Sequence, residues 1–281
     1  MARRVYDKWT VLYLFAALAL AACGGEDGDS SGTDAGTDTD TDTDTDTETD
    51  AGTDTDTDAG TDTDTDAGTD TDTSECYPGS FTIDEVDTTG DLVEISPYTC
   101  IDGSLSILNT TLEIFALPNL QSVGGYVEIR GNSALTSLSG LSNLSSVGVG
   151  LIIGLCDMDT QDPPAVPGNA ALTNLTGLEN LTEVGGDVDV CRNQTLSDLT
   201  GLESLVEIGN TLWIGWNVQL TSLSALESLT TIGIDLWVHD DSSLPYCEVC
   251  DLTDTAIVSG MLVVTGNLDD ACWTGSELSC P

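Results

Sequence analysis

Trp213 and Trp237 each stand in the middle of a short apolar run, Leu212-Trp-Ile214 and Leu236-Trp-Val238, 24 residues apart. Two indoles at one slot of a repeat, facing outward, offer a contact surface for a protein or a sugar ring, and Trp216 extends it. The same indoles could instead lie under another segment, or stabilise the sheet as a cross-strand pair. Asp187, Asp189 and Asp235 suggest a second chemistry. Carboxylates at i and i+2 on one strand face lie roughly 7 Å apart, which suits inverting glycoside hydrolysis. Aspartate is abundant here, however, and no Ser-His-Asp, Cys-His or metal-ligand pattern stands beside the three. The reading is therefore a non-enzyme, without cofactor or metal, that binds through Trp213, Trp237, Trp216, Asp189, His239 and Arg130. A structural envelope component is the alternative, and a polysaccharide-active enzyme a more distant one.

These residues must be positioned by a repeat running from Leu117 to Leu244. Its units open Leu117-Pro-Asn-Leu120, Leu141-Ser-Asn-Leu144, Leu178-Glu-Asn-Leu181, Leu202-Glu-Ser-Leu205 and Leu226-Glu-Ser-Leu229. The opening leucines are 24, 37, 24 and 24 residues apart, so one interval carries 13 extra residues, around Asp157 to Ala170. A fixed period of this size signals a solenoid, whose coils cannot bury their apolar faces alone. Each unit continues with an aliphatic residue and a glycine at Gly124, Gly148, Gly185, Gly209 and Gly233, which suggests a corner of positive φ. Then comes a period-two run: Val127-Glu-Ile129, Leu151-Ile-Ile153, Val188-Asp-Val190, and the two tryptophan runs. This is a strand with its middle residue outward. Three residues later stand Asn132, Cys156, Asn193, Asn217 and Asp241, which stacked coils would pile into a ladder of amides. The fold class is an all-β parallel solenoid with a leucine-rich core.

The chain begins with Arg3, Arg4 and Lys8, then the apolar run Trp9 to Ala22, too short to span a bilayer comfortably. Leu20-Ala21-Ala22-Cys23 resembles the bacterial lipobox, which implies a signal peptide over residues 1–22 and lipidation of Cys23. Gly24 after the cysteine, rather than aspartate, favours the outer membrane by the same resemblance. An ordinary secretory signal is the alternative. Residues 23–74 are almost purely Thr-Asp, with 17 aspartates and two glutamates from Gly24 to Ser74 and no basic residue. Such a segment cannot bury enough surface to fold, so it reads as a disordered tether extended by its own charge. Its repeats lack the glycine and closing glutamate of an EF-hand-type calcium loop.

Residues 75–281 form the folded part. They carry 29 acidic residues against Arg130 and Arg192, a net charge near −27. That argues against nucleic acid or anionic lipid as a partner. The expected partners are a membrane, through the lipid anchor, and a protein or glycan ligand.

Cys100-Ile-Asp-Gly-Ser-Leu-Ser-Ile107, followed by Leu-x-x-Leu-x-x-Val-Gly coils, resembles the receptor L-domain of insulin-receptor and epidermal-growth-factor-receptor ectodomains. The likeness covers about Cys76 to Cys272. It departs from the animal receptors in that Cys100 directly precedes Ile101 and no furin-like module follows. The resemblance implies a right-handed β-helix with ~24-residue coils and disulfide-stapled caps, and a Cys76–Cys100 bridge. It carries over no ligand. Setting aside Cys23 leaves eight cysteines, an even number suited to an oxidising compartment. Cys247, Cys250, Cys272 and Cys280 belong to the C-terminal cap, their connectivity open; a zinc site at Cys247-x-x-Cys250 is the rival. Cys156 and Cys191 flank the insertion, and pairing them requires that turn to distort.

Overall fold

In the computed structural model of the protein, residues 76–86, 88–156, 168–268 and 272 are described. The signal, lipidation and tether assignments, Cys23 and Cys280 lie outside them. Among the described residues, sixteen parallel strands are arranged in two sheets of eight. One sheet consists of two-residue strands: β1 (Cys76–Tyr77), β3 (Cys100–Ile101), β5 (Ser122–Val123), β7 (Ser146–Val147), β9 (Glu183–Val184), β11 (Glu207–Ile208), β13 (Thr231–Ile232) and β15 (Ile257–Val258). The other is longer: β2 (Phe81–Ile83), β4 (Leu105–Leu108), β6 (Tyr126–Arg130), β8 (Gly150–Gly154), β10 (Asp187–Cys191), β12 (Leu212–Gly215), β14 (Leu236–His239) and β16 (Leu262–Thr265). Each turn of chain adds one strand to each sheet, beside the strand of the turn before. This is the stacking that a solenoid repeat predicts.

The third side of each turn is built from the Leu-x-x-Leu segments, two of which close as 3-10 turns at Ser139–Leu141 and Ser224–Leu226. Their leucines point into a single core. Leu181, Leu205 and Leu229 are fully buried in one column, and Val190, Ile214 and Val238 in another. Helix α1 (Thr88–Ile95) packs on β2 near the start, and α2 (Tyr246–Thr255) packs on the last 3-10 turn. No helix among the described residues is long and apolar enough to cross a membrane.

Two local expectations change. The glycines at positions 124, 148, 185, 209 and 233 do not have positive φ. They are there for closeness: a Cβ on Gly148 would sit 2.2 Å from the Gly124 carbonyl oxygen, and one on Gly233 would sit 1.9 Å from that of Gly209. Coils touch backbone to backbone along this column. The left-handed corner lies instead one residue before the ladder, at Asn109, Gly131, Arg192, Trp216, Asp240 and Gly266, with φ between 55° and 72°.

The ladder itself runs Asn132, Asn169, Asn193, Asn217, Asp241 and Asn267, with Thr110 ahead of it. Each Oδ1 accepts the backbone N–H of the ladder residue one coil earlier, from 2.7 Å (Asn217 to Asp241) to 3.3 Å (Asn132 to Asn169). Cys156 is not a rung: β8 ends at Gly154 (φ 88°), and the ladder's next amide is Asn169. Asn169 fills the slot, so the extra residues end before Asn169 rather than at Ala170. Cys156 instead bonds Cys191 on the next coil, Cα to Cα 5.2 Å. Cys76–Cys100 and Cys247–Cys272 are also bonded, and Cys250 is oxidised into a disulfide. Disulfide formation at both Cys247 and Cys250 removes the zinc reading, since a zinc ligand must be a free thiolate.

Candidate functional site

Pairing register brings the outward middle residues of the long sheet into one row. Glu128, Ile152, Asp189, Trp213, Trp237 and Val263 are successive Cα partners from β6 to β16. The tryptophan rings meet at a centroid distance of 5.5 Å and a tilt of 37°. Their exposure is unequal, and here the expectation is corrected in part. Trp237 is buried, 7% exposed, packed between Trp213 and Val263; Trp213 stays half-buried. An indole flanked in register by another indole and a valine loses its faces to them even on the outer side of a sheet.

His239 ties the row to the corner. It pairs in register with Gly215, and a Cβ there would come within 3.0 Å of the imidazole, so the glycine leaves the space the ring occupies. The ring reaches Trp213, whose Nε1–H donates to His239 Nε2 at 2.6 Å. Because Nε2 accepts, the neutral ring carries its proton on Nδ1, which faces Asp240 Oδ2 at 3.2 Å. Trp216 abuts the same imidazole edge-to-face, centroids 4.3 Å apart. Its backbone is left-handed, φ 59°, a conformation that costs a bulky residue roughly 1–2 kcal/mol. The guanidinium of Arg192, one coil earlier in the same corner column, lies 4.3 Å over the Trp216 ring, and Arg192 Nε donates to the Leu155 carbonyl at 3.1 Å.

The carboxylates separate into two kinds. Asp187 Oδ1 accepts the Thr211 backbone N–H at 3.1 Å, and Asp235 Oδ1 accepts that of Met261 at 2.6 Å. Both therefore fasten one coil to the next. Asp189 is different: half-buried between Ile152 and Trp213, it has no hydrogen-bond partner among the described residues. Burial pushes its carboxyl up to about 7, and the charge of Asp187 adds to the effect. Among the described residues no group of three or more His, Cys, Asp or Glu is arranged to hold a metal.

Of the six residues expected to bind, five are brought together: Asp189, Trp213, Trp216, Trp237 and His239. Arg130 is not. It lies on β6, separated from Asp189 by β8, and pairs with Glu128 of its own strand. Arg192 is the basic residue that belongs to the cluster. Its position 24 residues before Trp216 was the available signal, since corner residues one coil apart stack as strand residues do. Compared with known proteins, the chain matches no family's model, no curated protein and no solved structure.

Proposed function

We propose that this chain is a bacterial outer-membrane lipoprotein whose solenoid, of receptor L-domain type, is a binding head for an envelope or extracellular protein or glycan. The solenoid is read as right-handed from the L-domain resemblance, and its ~24-residue coils are supported by partners such as Val188–Leu212 and Leu212–Leu236. Cys23 carries the lipid and the Thr-Asp segment is the tether. A long charged tether suits a head that searches for its partner. Cys23→Ser is expected to release the protein from membranes with the folded part intact; full membrane retention would overturn the anchor.

The single observation that carries the binding reading is Asp189. A carboxyl half-withdrawn from water beside an indole, with no hydrogen-bond partner among the described residues, costs stability where it stands, and a ligand that meets it offsets that cost. The contact surface is accordingly Asp189, Trp213 and Trp216, while the buried Trp237 supports Trp213 from the next coil. Glycan arrays and pull-downs with wild type and Trp213→Ala test this. Capture that disappears in the variant, at unchanged melting temperature, supports the face; equal capture by both places the site elsewhere.

A further inference from the structure

Asp189 also indicates the chemistry its partner brings. It lies between two apolar neighbours, Ile152 and Trp213, and the charge acting on it is the like charge of Asp187. From Glu75 to Pro281 the chain has two cations, Arg130 and Arg192. Arg130 is paired with Glu128, and Arg192 is seated on Trp216 with its Nε bonded to the Leu155 carbonyl. Neither meets Asp189. The chain does show, at Trp216, how this surface holds a cation: a guanidinium laid on an indole. Trp213 is the neighbouring indole, and it has a carboxylate beside it. The folded part around them is near −27, so a basic surface is attracted over a wide area before any specific contact forms.

We propose that Asp189 and Trp213 form a site for a lysine or arginine side chain of a basic partner protein. The cation rests on the indole and donates to the carboxylate. This deepens the binding reading and rests on it.

The test uses the purified full chain and a lysine-rich decapeptide, followed by tryptophan fluorescence and calorimetry at pH 6 and pH 8 in physiological salt. The acidic tether is identical in every variant, so differences between variants report the site. Wild-type affinity is expected to rise roughly tenfold from pH 6 to pH 8 as a carboxyl held near 7 ionises. Asp189→Asn should lose that rise and bind roughly tenfold more weakly at pH 8. Glu207→Gln, which removes one exposed charge on the other sheet, should behave as wild type. The Nε-acetylated peptide should fail to bind at the site. The proposal is overturned if Asp189→Asn and Glu207→Gln bind alike, if affinity ignores pH, or if the acetylated peptide competes equally. Spermidine that binds through Asp189 where the peptide does not would overturn the protein partner. A neutral ligand lost in Trp213→Ala and kept in Asp189→Asn would remove the cation site and leave the binding face standing.

Discussion

Asp241→Asn is expected to raise stability at pH 7 by on the order of 2–4 kcal/mol, about 5–10 °C in melting temperature, and to remove roughly half of its pH dependence. The reason lies in the ladder. In the other coils the amide nitrogen donates to a strand carbonyl: Asn132 to Ile107, Asn169 to Ile129, Asn193 to Ile153, Asn217 to Val190 and Asn267 to Val238, at 2.8–3.1 Å. Register makes Ile214 the counterpart for Asp241. Asp241 is fully buried, its Oδ1 accepts from the Asn217 backbone N–H, and its Oδ2 has no hydrogen-bond partner among the described residues. Burial pushes this carboxyl up to about 8 from an ordinary 3.8, against the bond from Asn217 and with the added charge of Asp240. The ladder neighbours Asn217 and Asn267 are neutral, and His239 faces Asp240 rather than Asp241.

Between about pH 4 and 8 the unfolded chain has lost this proton while the folded chain keeps it. Asp241 therefore makes stability fall as pH rises across that window, by up to about 1.4 kcal/mol per pH unit, and its loss is complete above it. Asparagine has no proton to lose, and its amide donates where the acid must first bind a proton to do so. Asp189, held near 7, contributes a loss of the same sign between about pH 4 and 7, so a slope remains in Asp241→Asn over that range and Asp189→Asn removes it. Thermal melts at pH 5, 7 and 9 decide the matter. An Asp241→Asn variant with wild-type melting and wild-type slope would remove the neutral-acid account.

What was legible in the sequence is what the repeat states many times over. The leucine and β-branched positions face the core because five units agree on their spacing, and period two determines which side of a strand is apolar. The outward row Asp189, Trp213, Trp237 was legible for the same reason. Burial of Trp237 was not, because period two gives a direction and says nothing of what neighbours do with the space outside. Arg192 was missed because the alternation stops at Cys191; the left-handed residue after it turns the chain and sends the side chain along a different column. Cys156 was misplaced because counting three residues from Ile153 assumes an uninterrupted corner, and the insertion begins inside that corner. The neutral role of Asp241 was half visible: an acid in a slot otherwise filled by amides is an anomaly in the pattern, but only burial shows that it must keep its proton.

The glycine column supplies the other large effect, because two explanations of one residue predict different outcomes. Were Gly209 a positive-φ corner, alanine there would cost roughly 1–2 kcal/mol of backbone strain. It is not one; its φ suits any residue, so alanine is conformationally allowed and even gains a few tenths through the unfolded chain. The obstacle is steric. A Cβ at Gly209 would stand 2.0 Å from the Gly185 carbonyl oxygen and 2.6 Å from its carbon, and both are backbone atoms held by the coil below. The Gly209 N–H is also bonded to the Val184 carbonyl at 2.9 Å, so the strand cannot retreat without losing that bond. Gly209→Ala is expected to cost about 3 kcal/mol or more, at the top of the usual range for overpacking. Gly79→Ala is the control. Gly79 has φ 90°, and a Cβ there would meet nothing within 4 Å, so alanine brings strain without a clash and should cost about 1–2 kcal/mol. Chemical denaturation of both variants separates the two causes. Gly209→Ala unfolding at the wild-type midpoint, or costing less than Gly79→Ala, would show that coils can part cheaply along this column.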